Sequence, residues 1–432
     1  MNKHAIHPLQ RPFDVRLTLP GSKSYANRAL VCAALAGGPF MLCNCSPADD
    51  TQVMLNLLAD LGWSVTRQSP AAQDVRLAPL SARAAPAQRI YAGEAGTVAR
   101  FGAALLAATP GRFELDAGPR MRQRPMAPLL SALRQLGATV TETGAPGLLP
   151  VHIEGGTLHG GLCELPGGVS SQFLSALLLA APVLAEATEI RISGELTSAS
   201  YVDMTLEVLR EFGIPANAIQ RKRNHVFRAE PCRLSRPEYS CPPDATGAGY
   251  FWAAAAITGG SCVVDGLSRQ SAQGDVRMVG ALENMGCTVL ESRGGLGIRG
   301  PAHELRAVSV DMRNMPDSFL SLGVVAAFCA GDCELKGTGN LRHKESDRVA
   351  ALVAGLDALG VSAHVRPDAL IIHGKGRAGV APQAPVPTFG DHRMAMSFAP
   401  AGLAVAGVQI ENAGVVAKSF PAFWKYFDSL YK

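Results

Sequence analysis

A chain of 432 residues exceeds what one hydrophobic core usually serves, so two domains or one repeated architecture is the starting expectation. With 47% apolar and 18% charged residues the composition excludes a disordered chain, and a formal charge of +4 is too slight for a nucleic-acid surface and fits a small anionic ligand better. Ten cysteines, scattered singly apart from Cys43 and Cys45, show neither zinc-ligand spacing nor a disulfide framework.

The opening stretch MNKHAIHPLQRPF lacks the apolar run of a secretory signal, and no uncharged stretch reaches the ~18 residues of a membrane span, which places the protein in the cytoplasm. A polar turn at Ser24 (GSKSYANRAL) then opens into an Ala/Leu/Val-rich helix. An amphipathic helix follows, ends at Leu61-Gly62 and gives way to a β-rich stretch.

Both landmarks recur. Polar turns opening into apolar helices are predicted at Ser24, Thr97, Ser171, Thr246, Ser318 and His392, at intervals of 73, 74, 75, 72 and 74 residues. Helices closing on glycine are predicted at Gly62, Gly137, Gly213, Gly286 and Gly360, at intervals of 75, 76, 73 and 74. Glycine suits the left-handed position after a helix, where a side chain is strained. Six units of about 74 residues with Val/Ile-rich strands between the helices predict an α/β fold built by repetition. The boundaries that follow are 22–240 for one domain and 1–21 plus 241–432 for the other, three units each. The basic run Arg221-Lys222-Arg223 reads as a solvated loop.

Taken singly, each turn reads as ordinary N-capping by Ser, Thr or Asp, and Asp203 and Asp244 read as caps as well. Taken together they predict more. Helix starts carry unpaired N–H groups and about half a positive charge, so several of them facing one cleft make an anion trap without a high net charge. The turns and the segments between them also hold anion-binding side chains: Lys23, Arg28, Arg100, Ser170, Ser171, Gln172 and Arg393, then Arg124 in MRQRP, Lys344, Glu345 and Arg348 in NLRHKESDR, and Lys418 in VVAKSFP.

At this point the chain resembles the enolpyruvyl transferases. LPGSKSYANRAL, AGTVAR, RMRQRP, LPGGVSSQFLSALL, MPDS, NLRHKESDR, DHRMAMSF and KSFPAFW look like that family's blocks, in order and in register over nearly the whole chain. The resemblance implies an inside-out α/β barrel of two domains, each of three βαβαββ units, with the active site in the interdomain cleft. It implies transfer of the enolpyruvyl group of phosphoenolpyruvate to the 5-hydroxyl of 3-phosphoshikimate by addition and elimination, with no metal and no cofactor, in a monomer whose partners are these two small molecules.

Carried over by position, the resemblance puts Lys23, Glu94, Gly96, Thr97, Arg124, Gln172, Arg348, Arg393 and Lys418 around phosphoenolpyruvate. It puts Ser24, Arg28, Ser170, Ser171, Gln172, Ser198, Tyr201, Asp317, Asn340 and Lys344 around the acceptor. Lys23, Asp317, Glu345 and His392 are the candidate catalytic residues. Glu345 handles the proton at C3, Asp317 takes the hydroxyl proton and Lys23 attends the leaving phosphate. Glu345 also reads as a simple ion-pair partner of Lys344 or Arg348, and Asp391 with His392 as a helix cap.

Three places depart from the family pattern. Glu94 in GEAGT stands where an asparagine is usual, the segment SASY has Ala199-Ser200 before Tyr201 where Lys or Arg followed by proline is usual, and the fourth turn reads DATGAG. A carboxylate beside an anion site opposes binding unless it is protonated or paired. Glu94 therefore keeps open a paralogue acting on another phosphorylated acceptor such as a nucleotide, and a catalytically silent binding protein is the reading outside enzyme chemistry. No cysteine lies between Cys45 and Cys163, which argues against the sister activity on a UDP-amino sugar.

Overall fold

The computed structural model describes residues 3–67, 73–80, 88–215, 217–222, 225–292 and 294–432. The basic run at 221–223 leaves that set at Arg223. After two strands, β1 (Lys3–Ala5) and β2 (Asp14–Leu17), the chain passes through α1 (Lys23–Ala36), β3 (Phe40–Cys43), α2 (Asp49–Asp60), β4 (Trp63–Arg67) and β5 (Val75–Pro79). The pattern repeats as β6 (Gln88–Tyr91), α3 (Gly96–Ala108), β7 (Gly111–Asp116), α4 (Ala127–Gln135), β8 (Thr139–Glu142) and β9 (Val151–Gly155). A third round is β10 (Gly161–Pro166), α5 (Ser171–Ala180), β11 (Thr188–Ser193), α6 (Ser200–Glu211), β12 (Ile219–Lys222) and β13 (Val226–Ala229).

After β14 (Glu238–Ser240) come α7 (Ala245–Thr258), β15 (Ser261–Asp265), α8 (Met278–Asn284), β16 (Thr288–Ser292) and β17 (Gly295–Arg299). The fifth round is β18 (Leu305–Arg306), β19 (Ser309–Asp311), α9 (Phe319–Ala327), β20 (Cys329–Lys336), α10 (Arg348–Ala358), β21 (Ala363–Arg366) and β22 (Ala369–Lys375). The single turn α11 (Gly376–Gly379), then α12 (His392–Ala404), β23 (Gln409–Glu411) and α13 (Phe423–Asp428), complete the chain.

The residues group into two compact units, Pro20–Pro242 and Met1–Leu19 with Pro243–Lys432. In the first, three sheets share one topology, β14-β3-β5-β4, β6-β7-β9-β8 and β10-β11-β13-β12. Each pairs its leading strand in parallel with the strand between the helices and closes on an antiparallel hairpin. In the second, β2-β15-β17-β16 and the sheet of β18 to β22 repeat that plan. The sixth round is reduced to β23, with β1 antiparallel on it and a parallel bridge from Val386 to Ile410.

The first helix of each round is the inner one. α1, α3 and α5 touch pairwise, as do α7, α9 and α12, and almost every residue of α3, α7 and α9 is buried. Runs such as FGAALLAA and AAAAIT suit this place, because small side chains let helix backbones approach and leave no polar group to bury. The sheets form the outer layer, as the inside-out arrangement requires. Closing the second helix of each of the first five rounds, Gly62, Gly137, Gly213, Gly286 and Gly360 have φ between +73° and +106°, the left-handed position expected from their spacing.

The helix starts separate into two kinds. Ser170, Asp244 and Asp391 accept hydrogen bonds from the N–H groups of Gln172, Thr246 and Arg393, so these three starts are capped by side chains. At α1, α3 and α9 the N-cap positions Ser22, Ala95 and Ser318 make no such bond. Asp203 is not a cap, because α6 starts one turn earlier than the sequence suggests and Asp203 lies inside its first turn.

Candidate functional site

In the unit spanning Pro20–Pro242, the starts of α1, α3 and α5 are tied to one another by side chains. Asn27 donates to Thr97 Oγ1 at 2.8 Å, linking α1 to α3. Arg100 donates to Gln172 Oε1 at 2.6 Å and to the Pro125 carbonyl at 3.2 Å, with its guanidinium 4.9 Å from the Phe173 ring, linking α3 to α5 and to the segment of Arg124. The bond from Arg100 fixes the Gln172 amide so that its NH2 end points away from the arginine.

Arg28 is enclosed. Its guanidinium donates to the Ser24 carbonyl (2.8 Å), Thr205 Oγ1 (2.8 Å), Ser175 Oγ (3.4 Å) and the Tyr201 carbonyl (2.9 Å), and lies 5.2 Å from the Phe101 ring. Burial lowers its pKa to about 10, which still leaves it charged at neutral pH. Arg28 thus fastens Ser24 and Tyr201, two expected acceptor contacts, to one buried cation. Ser198, also buried, sits at φ 54° just before α6. A non-glycine residue held in that region is strained, which marks the turn of Ser198 and Tyr201 as over-determined by its surroundings.

Lys23, half-buried at the start of α1, pairs with Asp50 of α2 at 2.8 Å. Arg124 is buried, and its guanidinium lies 2.8–3.2 Å from where a Cβ on Gly96 would be, so glycine is the residue that lets the arginine cover the start of α3. Glu94, two residues earlier, accepts hydrogen bonds from the backbone N–H of Met121 at 2.8 Å and of Arg120 at 3.4 Å. Its carboxylate is thereby turned onto the short helical turn Met121–Gln123 that precedes Arg124.

The other unit gathers a denser cluster. Arg348, 1% exposed, donates to Asp317 (2.8 Å), Glu345 (2.8 Å) and Asp391 (3.1 Å). Burial lowers its pKa, but the carboxylates of Asp391, Glu345 and Asp317 outweigh burial and hold it above the ordinary arginine value. Arg393 donates to Asp317 at 2.6 Å and to the Tyr250 hydroxyl at 3.1 Å, and the Tyr250 ring rests edge-on against Phe423, 5.8 Å away. Lys418 lies 3.8 Å from the second oxygen of Glu345. Three cations therefore face three carboxylates, and any anion that binds must compete with Asp317, Glu345 and Asp391 for the same N–H groups.

His392 is fully buried with Nδ1 3.5 Å from Asp391 Oδ1, while Asp391 also caps α12 through Arg393 N and accepts from Ser346 Oγ at 3.0 Å. Lys344 and Asn340 are half-buried on the segment around the turn Gly339–His343 that leads into α10.

Two acids were not singled out from the sequence. Asp50 is the partner of Lys23. Asp275, 4% exposed, accepts from Ser318 Oγ at 2.6 Å and from Thr246 Oγ1 at 2.7 Å, joining the starts of α9 and α7 directly behind Asp317. Burial, with Asp317 nearby, raises its pKa to about 6. The repeat register could have found both, since Asp50, Arg124, Ser198, Asp275, Arg348 and Lys418 follow one another at 74, 74, 77, 73 and 70 residues. Each stands at or just before the second helix of its round.

The cysteines play no part in this chemistry: all ten are free, and burial pushes the Cys45 thiol up to about 12 and Cys241 well above its ordinary value. Among the described residues no helix is long and apolar enough to cross a membrane.

Comparison with known proteins agrees over the full length. The family model described as EPSP synthase (3-phosphoshikimate 1-carboxyvinyltransferase) matches residues 10–427. A 3-phosphoshikimate 1-carboxyvinyltransferase from Syntrophobacter fumaroxidans is 40% identical over 429 residues, covering 99% of both chains. Its namesake from Escherichia coli O6:H1 is 37% identical over 433 residues, covering 100% of this chain and 98% of its own. The solved structure of EPSP synthase from Acinetobacter baumannii superposes with a TM-score of 0.82 at 27% identity, covering 100% of this chain and 98% of that one. On the full-length family match and these identities, the chain belongs to the EPSP synthase (3-phosphoshikimate 1-carboxyvinyltransferase) family.

Proposed function

We propose that the protein transfers the enolpyruvyl group of phosphoenolpyruvate to the 5-hydroxyl of 3-phosphoshikimate, releasing 5-enolpyruvylshikimate 3-phosphate and inorganic phosphate, in the cytoplasm and as a monomer. The observation that carries the site reading is the cluster of Arg348, Arg393 and Lys418 interleaved with Asp317 and Glu345, which pairs cations for an anionic substrate with carboxylates able to move protons. Two polyanions must be brought together before any bond forms, and fixed cations and helix starts supply the neutralisation.

In this proposal Lys23, Arg124 and Gln172 of one unit and Arg348, Arg393 and Lys418 of the other are the phosphoenolpyruvate contacts. Ser24, Ser170, Ser171, Ser198, Tyr201, Asn340 and Lys344 hold the acceptor. The substrate's anions draw Arg348 and Lys418 away from Glu345, so a carboxylate relieved of its cations carries a proton more readily and can deliver it to C3. Asp317 takes the proton of the attacking hydroxyl as oxygen bonds to C2. In the second half a proton leaves C3, the C2–O bond to phosphate breaks, and Lys23 neutralises the departing phosphate. Positioned acid and base groups of this kind contribute ~10²–10⁴-fold.

Glu94 does not call for another acceptor, because its carboxylate is engaged by two backbone N–H groups of the neighbouring turn. The test is phosphate release from phosphoenolpyruvate without added metal, with 3-phosphoshikimate, unphosphorylated shikimate or a uridine nucleotide as acceptor. Turnover with 3-phosphoshikimate alone is the expected result, and turnover only with a nucleotide would replace this reading with the paralogue.

A further inference from the structure

Three contacts converge on the residue that departs most from the family pattern. The Glu94 carboxylate receives the N–H of Met121 and of Arg120. Gly118 packs so closely that a Cβ there would lie 2.1 Å from Glu94 Oε1, and the Gly118 N–H is bonded to the Gly93 carbonyl at 2.8 Å. At the far end of the same loop, the Arg124 guanidinium covers Gly96, two residues from Glu94. The turn Gly93–Gly96 is thus fastened to the loop 118–124 at both ends. A glutamate is long enough to reach the loop's N–H groups, and a carboxylate at the start of a helical turn is held by charge-assisted bonds.

We propose that Glu94 is a positioning residue: its carboxylate splints the loop 118–123 against the start of α3 and so sets Arg124 for phosphoenolpyruvate, in place of a direct contact with that substrate. The proposal deepens the reading of the site and rests on Arg124 as a phosphoenolpyruvate contact. It accounts for a negative charge beside an anion site, since that charge is spent on the backbone of residues 120 and 121. Hydrogen bonding of this kind needs an acceptor at the right reach, and a full charge only strengthens it.

Three variants separate the possibilities by steady-state kinetics and by hydrogen exchange of the peptide spanning 118–123. Glu94→Ala removes the splint. Gly118→Ala keeps Glu94 but drives its carboxylate off the loop, at a position with no left-handed backbone to strain. Glu94→Gln keeps an acceptor and drops the charge. Expected are a fivefold or greater rise in KM for phosphoenolpyruvate in Glu94→Ala and Gly118→Ala, with kcat and KM for 3-phosphoshikimate within twofold and faster exchange at 118–123. Glu94→Gln stays within about threefold of the parent with exchange unchanged.

An unchanged KM for phosphoenolpyruvate in Glu94→Ala overturns the proposal. So does a Glu94→Gln enzyme as impaired as Glu94→Ala, because the charge itself would then be what matters. Failure of the functional reading is seen separately, as absence of phosphate release by the parent enzyme. Failure of the Arg124 assignment is seen as an unchanged KM for phosphoenolpyruvate in Arg124→Ala.

Discussion

Asp275 shows how the burial of a single carboxyl can work against the fold. It is enclosed behind Asp317 with two hydroxyl donors, and burial raises its pKa to about 6 from 3.8. A carboxyl raised in the folded state favours the fold fully below pH 3.8, and that stability is lost as the pH climbs through about 6. A gap of this size corresponds to on the order of 3 kcal/mol. Asp275→Asn removes the titration while Ser318 and Thr246, whose hydroxyls can donate or accept, keep their partners. Thermal melts from pH 4 to 8 are therefore expected to show the parent losing stability relative to the variant between pH 4 and 7, and parallel curves would contradict the assignment. The contacts that give Asp275 and Asp50 their meaning lie 43 and 27 residues away, so no local motif marks them and only the repeat register points to them. Lys23, Arg124 and Arg348 drew notice in the sequence as cations in or near the repeated turns, and the resemblance to the enolpyruvyl transferases is what assigned them to phosphoenolpyruvate.

Among the elements, the repeat was readable because its marker is local. A glycine after a helix answers to its own φ, whatever packs around it, so the five positions announced themselves through spacing. The sixth round is announced by its turn at His392 but carries no closing glycine, since its outer helix is replaced by the short turn Ala413–Lys418 and by α13, and its sheet by β23 with β1. The glycines also differ in a way that spacing cannot show. At Gly213 a Cβ meets nothing nearer than 3.6 Å, whereas at Gly360 it lies 2.7 Å from the Ala381 carbonyl oxygen. Gly213→Ala is expected to cost about 1–2 kcal/mol, the penalty of a left-handed L-residue alone. Gly360→Ala adds a backbone clash and is expected to cost at least about 1 kcal/mol more. Urea denaturation of the two variants would test the ordering, and equal losses would show that conformation alone decides.

Across the whole molecule the chain passes between the two units twice, near Pro20 and near Pro242. β2 precedes α1 in sequence yet pairs with β15, while β14 precedes α7 yet pairs with β3. Repeat arithmetic on the sequence puts the boundaries at 22–240 and at 1–21 plus 241–432, whereas the exchange of leading strands is a pairing over long separations that no local pattern encodes. Residues 1–19 bring Ile6, Phe13, Leu17 and Leu19 into the core of the second unit, each at most 8% exposed. At about 1.5–3 kcal/mol for each buried side chain, their removal is comparable with the whole stability of a domain. A fragment of residues 20–242 is expected to melt cooperatively, and one of residues 243–432 to show no cooperative transition until residues 1–19 are supplied, for instance fused after Lys432, where Tyr431 already reaches the His7 carbonyl at 2.7 Å. A cooperative melt of the bare 243–432 fragment would refute this. The exchanged strands also impose an order in time. Asp14 leaves the ribosome 247 residues ahead of Ser261, its partner in the sheet. At roughly 5–20 residues per second this is about 12–50 s, during which residues 20–242 emerge complete while the N-terminal segment has nothing to pair with. Residues made early are among the last to fold.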